Sequence, residues 1–70
     1  MDKPRVTIKS TGPEGNIYFI LGKVRDTLRK ERRYTDYNDL RDKVLNSKSY
    51  KEAIEHIREI VDLVDTDGKI

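Results

Sequence analysis

Four arginines, Arg25, Arg29, Arg32 and Arg33, crowd the second half of one apolar-periodic stretch, and the aromatic residues Tyr18, Phe19 and Tyr34 bracket them. At 100° per residue, Arg25, Arg29 and Arg32 share one flank of a helix, with Tyr18 and Tyr34 near it and Phe19 roughly opposite the core stripe. Guanidinium groups beside phenol rings support two kinds of recognition. They contact phosphates and stack on bases. They also capture acidic protein surfaces, and arginine and aromatic side chains dominate interface energetics. A third account needs no ligand, because cations in the last turn of a helix interact favourably with its dipole.

Other residues with chemical potential lead less far. Glu52, Glu55 and Glu59 line one side of a later helix. Carboxylates at that spacing act as acid and base only inside a cleft, and otherwise form a solvated face. His56 is the only histidine and sits at the edge of the same helix, so a surface position is expected. With no cysteine and no second histidine it makes a poor metal site. The run Asp65-Thr66-Asp67-Gly68-Lys69-Ile70 looks like the middle of a calcium loop, but Leu63 falls where the first ligand belongs and no bidentate Glu follows. The segment Gly12-Pro13-Glu14-Gly15-Asn16 precedes a helix and so resembles an anion cradle. Glu14 would repel an anion there, and Gly22-Lys23 is followed by Val24 where a phosphate loop needs Ser or Thr. A turn with an N-cap is the simpler account. There is no helix-turn-helix glycine turn, no RNA-binding aromatic signature and no zinc-finger spacing. The expectation is a non-enzyme with no catalytic residue, no cofactor and no metal; a deep pocket lined by Asn16, Tyr18 and the arginines would revive a small-molecule role.

The whole chain bounds what can position these groups. Seventy residues make one small domain, which buries only about 60% of the surface of its unfolded form. The absence of cysteine removes disulfides and thiolate zinc sites and fits a cytoplasmic setting. Association into a homodimer is one way such a chain buries more surface. No apolar run suits a membrane span or the core of a signal peptide. The net charge of +2 hides an asymmetry: residues 1–35 hold nine Lys and Arg against four Asp and Glu, whereas residues 36–70 hold six against nine. The two halves either neutralise each other or present an oriented electrostatic surface.

The elements follow from periodicity. Residues 1–4 are expected to be loose. Residues 5–10, Arg5-Val6-Thr7-Ile8-Lys9-Ser10, alternate and are β-branched, as in a strand with Val6 and Ile8 inward. Its partner is either Val61–Asp65 or the same strand of a second subunit. Asn16 caps a helix over residues 17–32 whose stripe is Ile17, Ile20, Leu21, Val24 and Leu28. Gly22 inside it suggests a close backbone neighbour. After a linker at residues 33–35, Thr35 or Asp36 caps a second helix over 36–46, with Tyr37, Leu40, Val44 and Leu45 as its narrow stripe. Ser49-Tyr50-Lys51-Glu52 is a capping box that starts a third helix over 50–62. Leu63 falls off that helix's apolar face, which leaves 61–65 open between helix and strand. Residues 66–70 are expected to fray.

The pattern Glu14-Gly15-Asn16, three residues on Ile20-Leu21-Gly22-Lys23-Val24 and a basic helix tail, preceded by the strand at Arg5–Lys9 and followed by Ser47-Lys48-Ser49-Tyr50, resembles small uncharacterised proteins of bacteriophages and prophages. The likeness covers the first half of the chain best. It brings no activity and no catalytic residue; it implies an accessory protein in the bacterial cytoplasm.

The expected fold is small α+β, an N-terminal strand with three helices and a possible short C-terminal strand. The expected core is Val6, Ile8, Ile17, Ile20, Leu21, Val24, Leu28, Leu40, Val44, Ile54, Ile57, Ile60 and Val61. The expected function is binding of a host or phage macromolecule by protein–protein contact through Tyr18, Phe19, Arg25, Arg29, Arg32, Arg33 and Tyr34. The alternative is nucleic-acid binding on the ridge Arg25, Arg29, Arg32 and Arg33, which the acidic third helix opposes.

Overall fold

The computed structural model describes residues 3–69. Strand β1 (Arg5–Ile8) is followed by a 3-10 turn at Pro13–Gly15, then by helices α1 (Ile17–Lys30), α2 (Tyr34–Leu45) and α3 (Tyr50–Ile60), and by strand β2 (Asp62–Asp65). The fold is small α+β. The strands pair in parallel, with Arg5 opposite Asp62 and Ile8 opposite Asp65. The sheet is therefore completed within the chain. Parallel strands need a long crossover, and here all three helices form it.

The pairing resolves the mismatch at Leu63. Val61 leaves the helix with φ −128° and ψ 157° while its amide still bonds to the Ile57 carbonyl at 3.0 Å. From there the period changes from 3.6 to 2, so Val61 and Leu63 are both buried. Val64, on the α3 face by helical counting, is only half-buried. The helix thus ends at Ile60, short of residue 62. In β1 the same alternation buries Val6 and Ile8 and exposes Arg5 and Thr7, and the strand stops at Ile8, short of residue 10.

The Asn16 side chain accepts from the Tyr18 amide at 2.8 Å and opens α1 as expected. Its end differs: α1 stops at Lys30, not Arg32. Arg32 takes a left-handed φ of 58°. The Arg33 amide then bonds to the Leu28 carbonyl at 2.8 Å and the Arg32 amide to the Arg29 carbonyl at 3.0 Å. This is a Schellman closure with arginine where glycine is usual. The tight turn lets α2 begin at Tyr34. Arg33 holds the N-cap position without a side-chain cap, so neither Thr35 nor Asp36 caps this helix. In α3 the Ser49 hydroxyl accepts from the Glu52 amide at 3.1 Å, while Glu52 reaches back to the Lys48 amide at 3.1 Å.

The core joins Val6, Ile8, Ile20, Leu21, Val24, Leu28, Leu40, Val44, Ala53, Ile54, Ile57, Val61 and Leu63. Ile17 and Ile60 only border it, and Ala53 and Leu63 take their places. Residues 3 and 4 are bonded to the far end of the fold. Pro4 accepts from the Asp62 amide at 2.8 Å, and Lys3 Nζ reaches the Arg58 carbonyl at 2.7 Å. In the segment after β2, Thr66 donates to the Ile8 carbonyl at 2.9 Å and Lys69 to Asp65 at 2.6 Å. The expectations for Met1, Asp2 and Ile70 lie outside the described residues.

Candidate functional site

The turn between α1 and α2 brings part of the predicted set together. Arg25, Arg29, Tyr34, Tyr37 and Asn38 line a shallow concavity of about 250 Å3 between the two helices. Tyr37 packs against the core and serves as its inner wall. Tyr34 is 56% exposed and Tyr18, up the same flank of α1, is 69% exposed. Arg25 lies 3.7 Å from Asp26, with both side chains more than half exposed. Such a pair contributes little and leaves Arg25 available.

The other candidates separate from this group. Arg33 is engaged internally, with Nε donating to Asp36 at 2.7 Å and Nη1 lying 3.8 Å from Glu31. Arg32 is exposed at the tip of the turn. Phe19 sits on the opposite flank of α1, 43% exposed, with Lys23 Nζ 5.6 Å from its ring centroid. That lysine also donates to the Thr7 carbonyl and to Glu14, each at 3.0 Å. It thereby covers part of the free edge of β1, the kind of blocking that discourages strand addition. Glu14 is thus occupied by a cation within the chain.

Gly22 departs from expectation. A Cβ built there meets nothing within 4 Å, so no backbone neighbour among the described residues explains it. The crowded glycine is Gly15, where a Cβ would run into the Ser10 carbonyl oxygen.

The calcium-like run is a clasp between the two ends of the chain. Asp65 accepts from the Ser10 hydroxyl at 2.6 Å and amide at 3.0 Å, and from the Asp67 amide at 3.0 Å. Asp67 accepts from the Thr11 amide at 3.0 Å and from its hydroxyl. Partial desolvation pushes the Asp65 carboxyl up, but the hydrogen bonds from Ser10, Lys69 and Asp67 outweigh it and hold the group well below the usual carboxylate range. The Thr11 bonds likewise lower Asp67. Both carboxylates are spent on structure. Nearby, Tyr50 donates its hydroxyl to the Gly15 carbonyl at 2.6 Å, and desolvation followed by the Asp65 charge raises its pKa. The sequence gives no signal for that contact, which joins residues 35 apart.

The glutamates of α3 do not converge. Glu52 serves the cap, and Glu59 lies 3.9 Å from Lys43. His56 is half-buried rather than on the surface, at a small cavity of about 100 Å3 that Asp36, Asp39 and Glu59 also line. Its Nδ1 is buried without a partner and its Nε2 lies 3.8 Å from Glu52. Among the described residues no group of three or more His, Cys, Asp or Glu is arranged to hold a metal ion. No helix among them is long and apolar enough to cross a membrane.

Comparison with protein families, with curated proteins and with solved structures returns no match to this chain.

Proposed function

We propose that this is a non-enzymatic accessory protein, of the kind phages and prophages encode, that binds a host or phage protein in the bacterial cytoplasm. The observation that carries the reading is the concavity at the α1–α2 turn, where Arg25 and Arg29 stand beside the exposed Tyr34. Arginine and tyrosine are the residue types that anchor interfaces. Arg32 extends the basic edge, and Tyr18 extends the aromatic one. Phe19 and Arg33 contribute less, because Lys23 covers the first and Asp36 holds the second.

The test is a pull-down of the tagged chain from bacterial lysate, with and without nuclease. A stoichiometric protein that survives nuclease and is lost with R25E/R29E is the expected result. Bands that vanish with nuclease move the assignment to the nucleic-acid alternative, which uses the same arginines and predicts steep salt dependence.

A further inference from the structure

We infer that the α1–α2 face receives an acidic helix of a partner protein, laid over Gly22 with its carboxylates on Arg25, Arg29 and Arg41. The inference rests on the protein-contact reading above and names the partner's chemistry.

Two stripes of identical spacing build this face. On α1 the positions i, i+4, i+7 and i+11 are Tyr18, Gly22, Arg25 and Arg29. On α2 the same offsets give Tyr34, Asn38, Arg41 and Leu45. The concavity joins the stripes where Arg25 and Arg29 meet Tyr34 and Asn38. Of the eight residues all but Gly22 are exposed, and Gly22 is half-buried. Tyr18 and Leu45 are open to solvent although they are large and apolar in part. The stripes hold three cations and no carboxylate; Asp26 and Asp42 border them. A glycine inside a helix is less favourable than alanine by about 1 kcal/mol, and a Cβ built on Gly22 meets nothing within 4 Å among the described residues. It is a gap one turn wide between Tyr18 and Arg25. Helices pack with axes about 8–10 Å apart, set by the side chains at the contact. A bare position at the centre of a stripe lets a second helix come close, as helix-in-groove recognition requires.

Charge selects the occupant. A second copy docking this face onto itself about a twofold axis would set one face of three arginines and no carboxylate against another, which opposes association. A nucleic-acid duplex has a footprint wider than the concavity and would meet Asp36, Asp39 and Asp42 along α2. A single acidic helix, narrower than a duplex, complements the three arginines.

The experiment places a photoreactive benzophenone side chain at position 38, in place of Asn38, in the full chain. After irradiation in bacterial lysate the cross-linked peptide is mapped by mass spectrometry, synthesised, and titrated against the wild-type chain by fluorescence anisotropy and circular dichroism. The expected segment carries net negative charge and gains helix on binding. G22L and R41E each weaken it at least tenfold, while their thermal midpoints stay at or above the wild-type value for G22L and near it for R41E. A cross-link to nucleic acid, to a second copy or to a basic or non-helical segment overturns the inference, as does the absence of any cross-link. If the pull-down recovers a nuclease-resistant protein but position 38 does not cross-link to it, the helix inference falls and the protein-contact reading stands. An empty pull-down removes both.

Discussion

Asp65 accepts the hydroxyl and the amide of Ser10, at 2.6 and 3.0 Å, across 55 residues of sequence. The bond continues the parallel pairing of β1 with β2 beyond its last registered pair, Ile8 with Asp65. Asp67 repeats the device one step further on with Thr11. A two-stranded sheet is short of hydrogen bonds at its ends, and here side-chain carboxylates supply the acceptors that a longer β2 would otherwise provide.

Acid should loosen this clasp. Hydrogen bonds depress both carboxyls below their ordinary values in the fold. A depressed folded pKa contributes stability that is present above the unfolded value of about 3.9 and is lost as pH falls below it toward the folded one. The thermal midpoint of the wild-type chain should therefore fall as pH drops below about 4. Asp65→Asn should lower the midpoint at neutral pH, and the gap between variant and wild type should narrow in acid. Parallel pH profiles for the two proteins would remove the clasp from the account of stability.

The two glycines before and within α1 should respond oppositely to alanine. Gly15→Ala forces a Cβ against the Ser10 carbonyl, which is backbone and cannot step aside. A loss of about 1–3 kcal/mol is expected, as for other overpacked positions. Gly22→Ala meets open space and should gain up to about 1 kcal/mol from helix propensity alone. Urea denaturation of both variants checks the pair. A destabilising Gly22→Ala would mean that this glycine serves the fold after all.

The turn between α1 and α2 holds Arg32 at φ 58°, where a side chain is disfavoured. Left-handed backbone on a non-glycine residue costs about 1–3 kcal/mol, and glycine's greater freedom in the unfolded chain returns about 0.5–1 kcal/mol of that cost. Arg32→Gly should then stabilise by about 1 kcal/mol. If it leaves denaturation midpoint and slope unchanged, the left-handed turn carries no strain worth relieving.

Periodicity reveals most of the core but not all of it: Ile17, on the α1 stripe, only borders it, and Leu45, on the α2 stripe, is exposed. The stripe through Ile20, Leu21, Val24 and Leu28 and the alternation of Val6 and Ile8 are patterns of nearest neighbours, and the structure buries all six. Asn16 and Ser49 were legible because a cap acts within three residues of itself. Failures came where a distant or locally unfavourable choice decided the outcome. Leu63 became core only because β1 was there to pair with its strand. Arg32 gave no sign of ending a helix, since arginine is a good helix former and takes the left-handed position only because Leu28 and Arg29 carbonyls are satisfied by it. Glycine at position 22 points to a neighbour that the described residues do not supply. Of the candidate site, the Tyr18–Arg25–Arg29 flank followed from helical counting. The diversion of Arg33 to Asp36 followed from a turn whose geometry no spacing encodes.

That diversion gives the sharpest separation among the candidate residues. Arg25 and Arg29 line the concavity beside an exposed tyrosine, so replacing them removes charge from a surface and little from the fold. R25E/R29E should keep the wild-type circular dichroism spectrum and midpoint within about 0.5 kcal/mol, as surface substitutions do, and should abolish partner capture. Arg33 holds Asp36 in the first turn of α2 and lies near Glu31. Arg33→Ala should leave capture in place and lower stability by up to about 1 kcal/mol, the range for partly exposed ion pairs. The aromatic residues divide in the same way: Tyr18→Ala should weaken capture, whereas Phe19→Ala, on the flank that Lys23 covers, should not. Melting curves beside quantified pull-downs for the four variants read both effects. If Arg33→Ala and Phe19→Ala abolish capture while R25E/R29E and Tyr18→Ala do not, the binding surface lies on the other side of α1 and the α1–α2 concavity is only the seam between two helices.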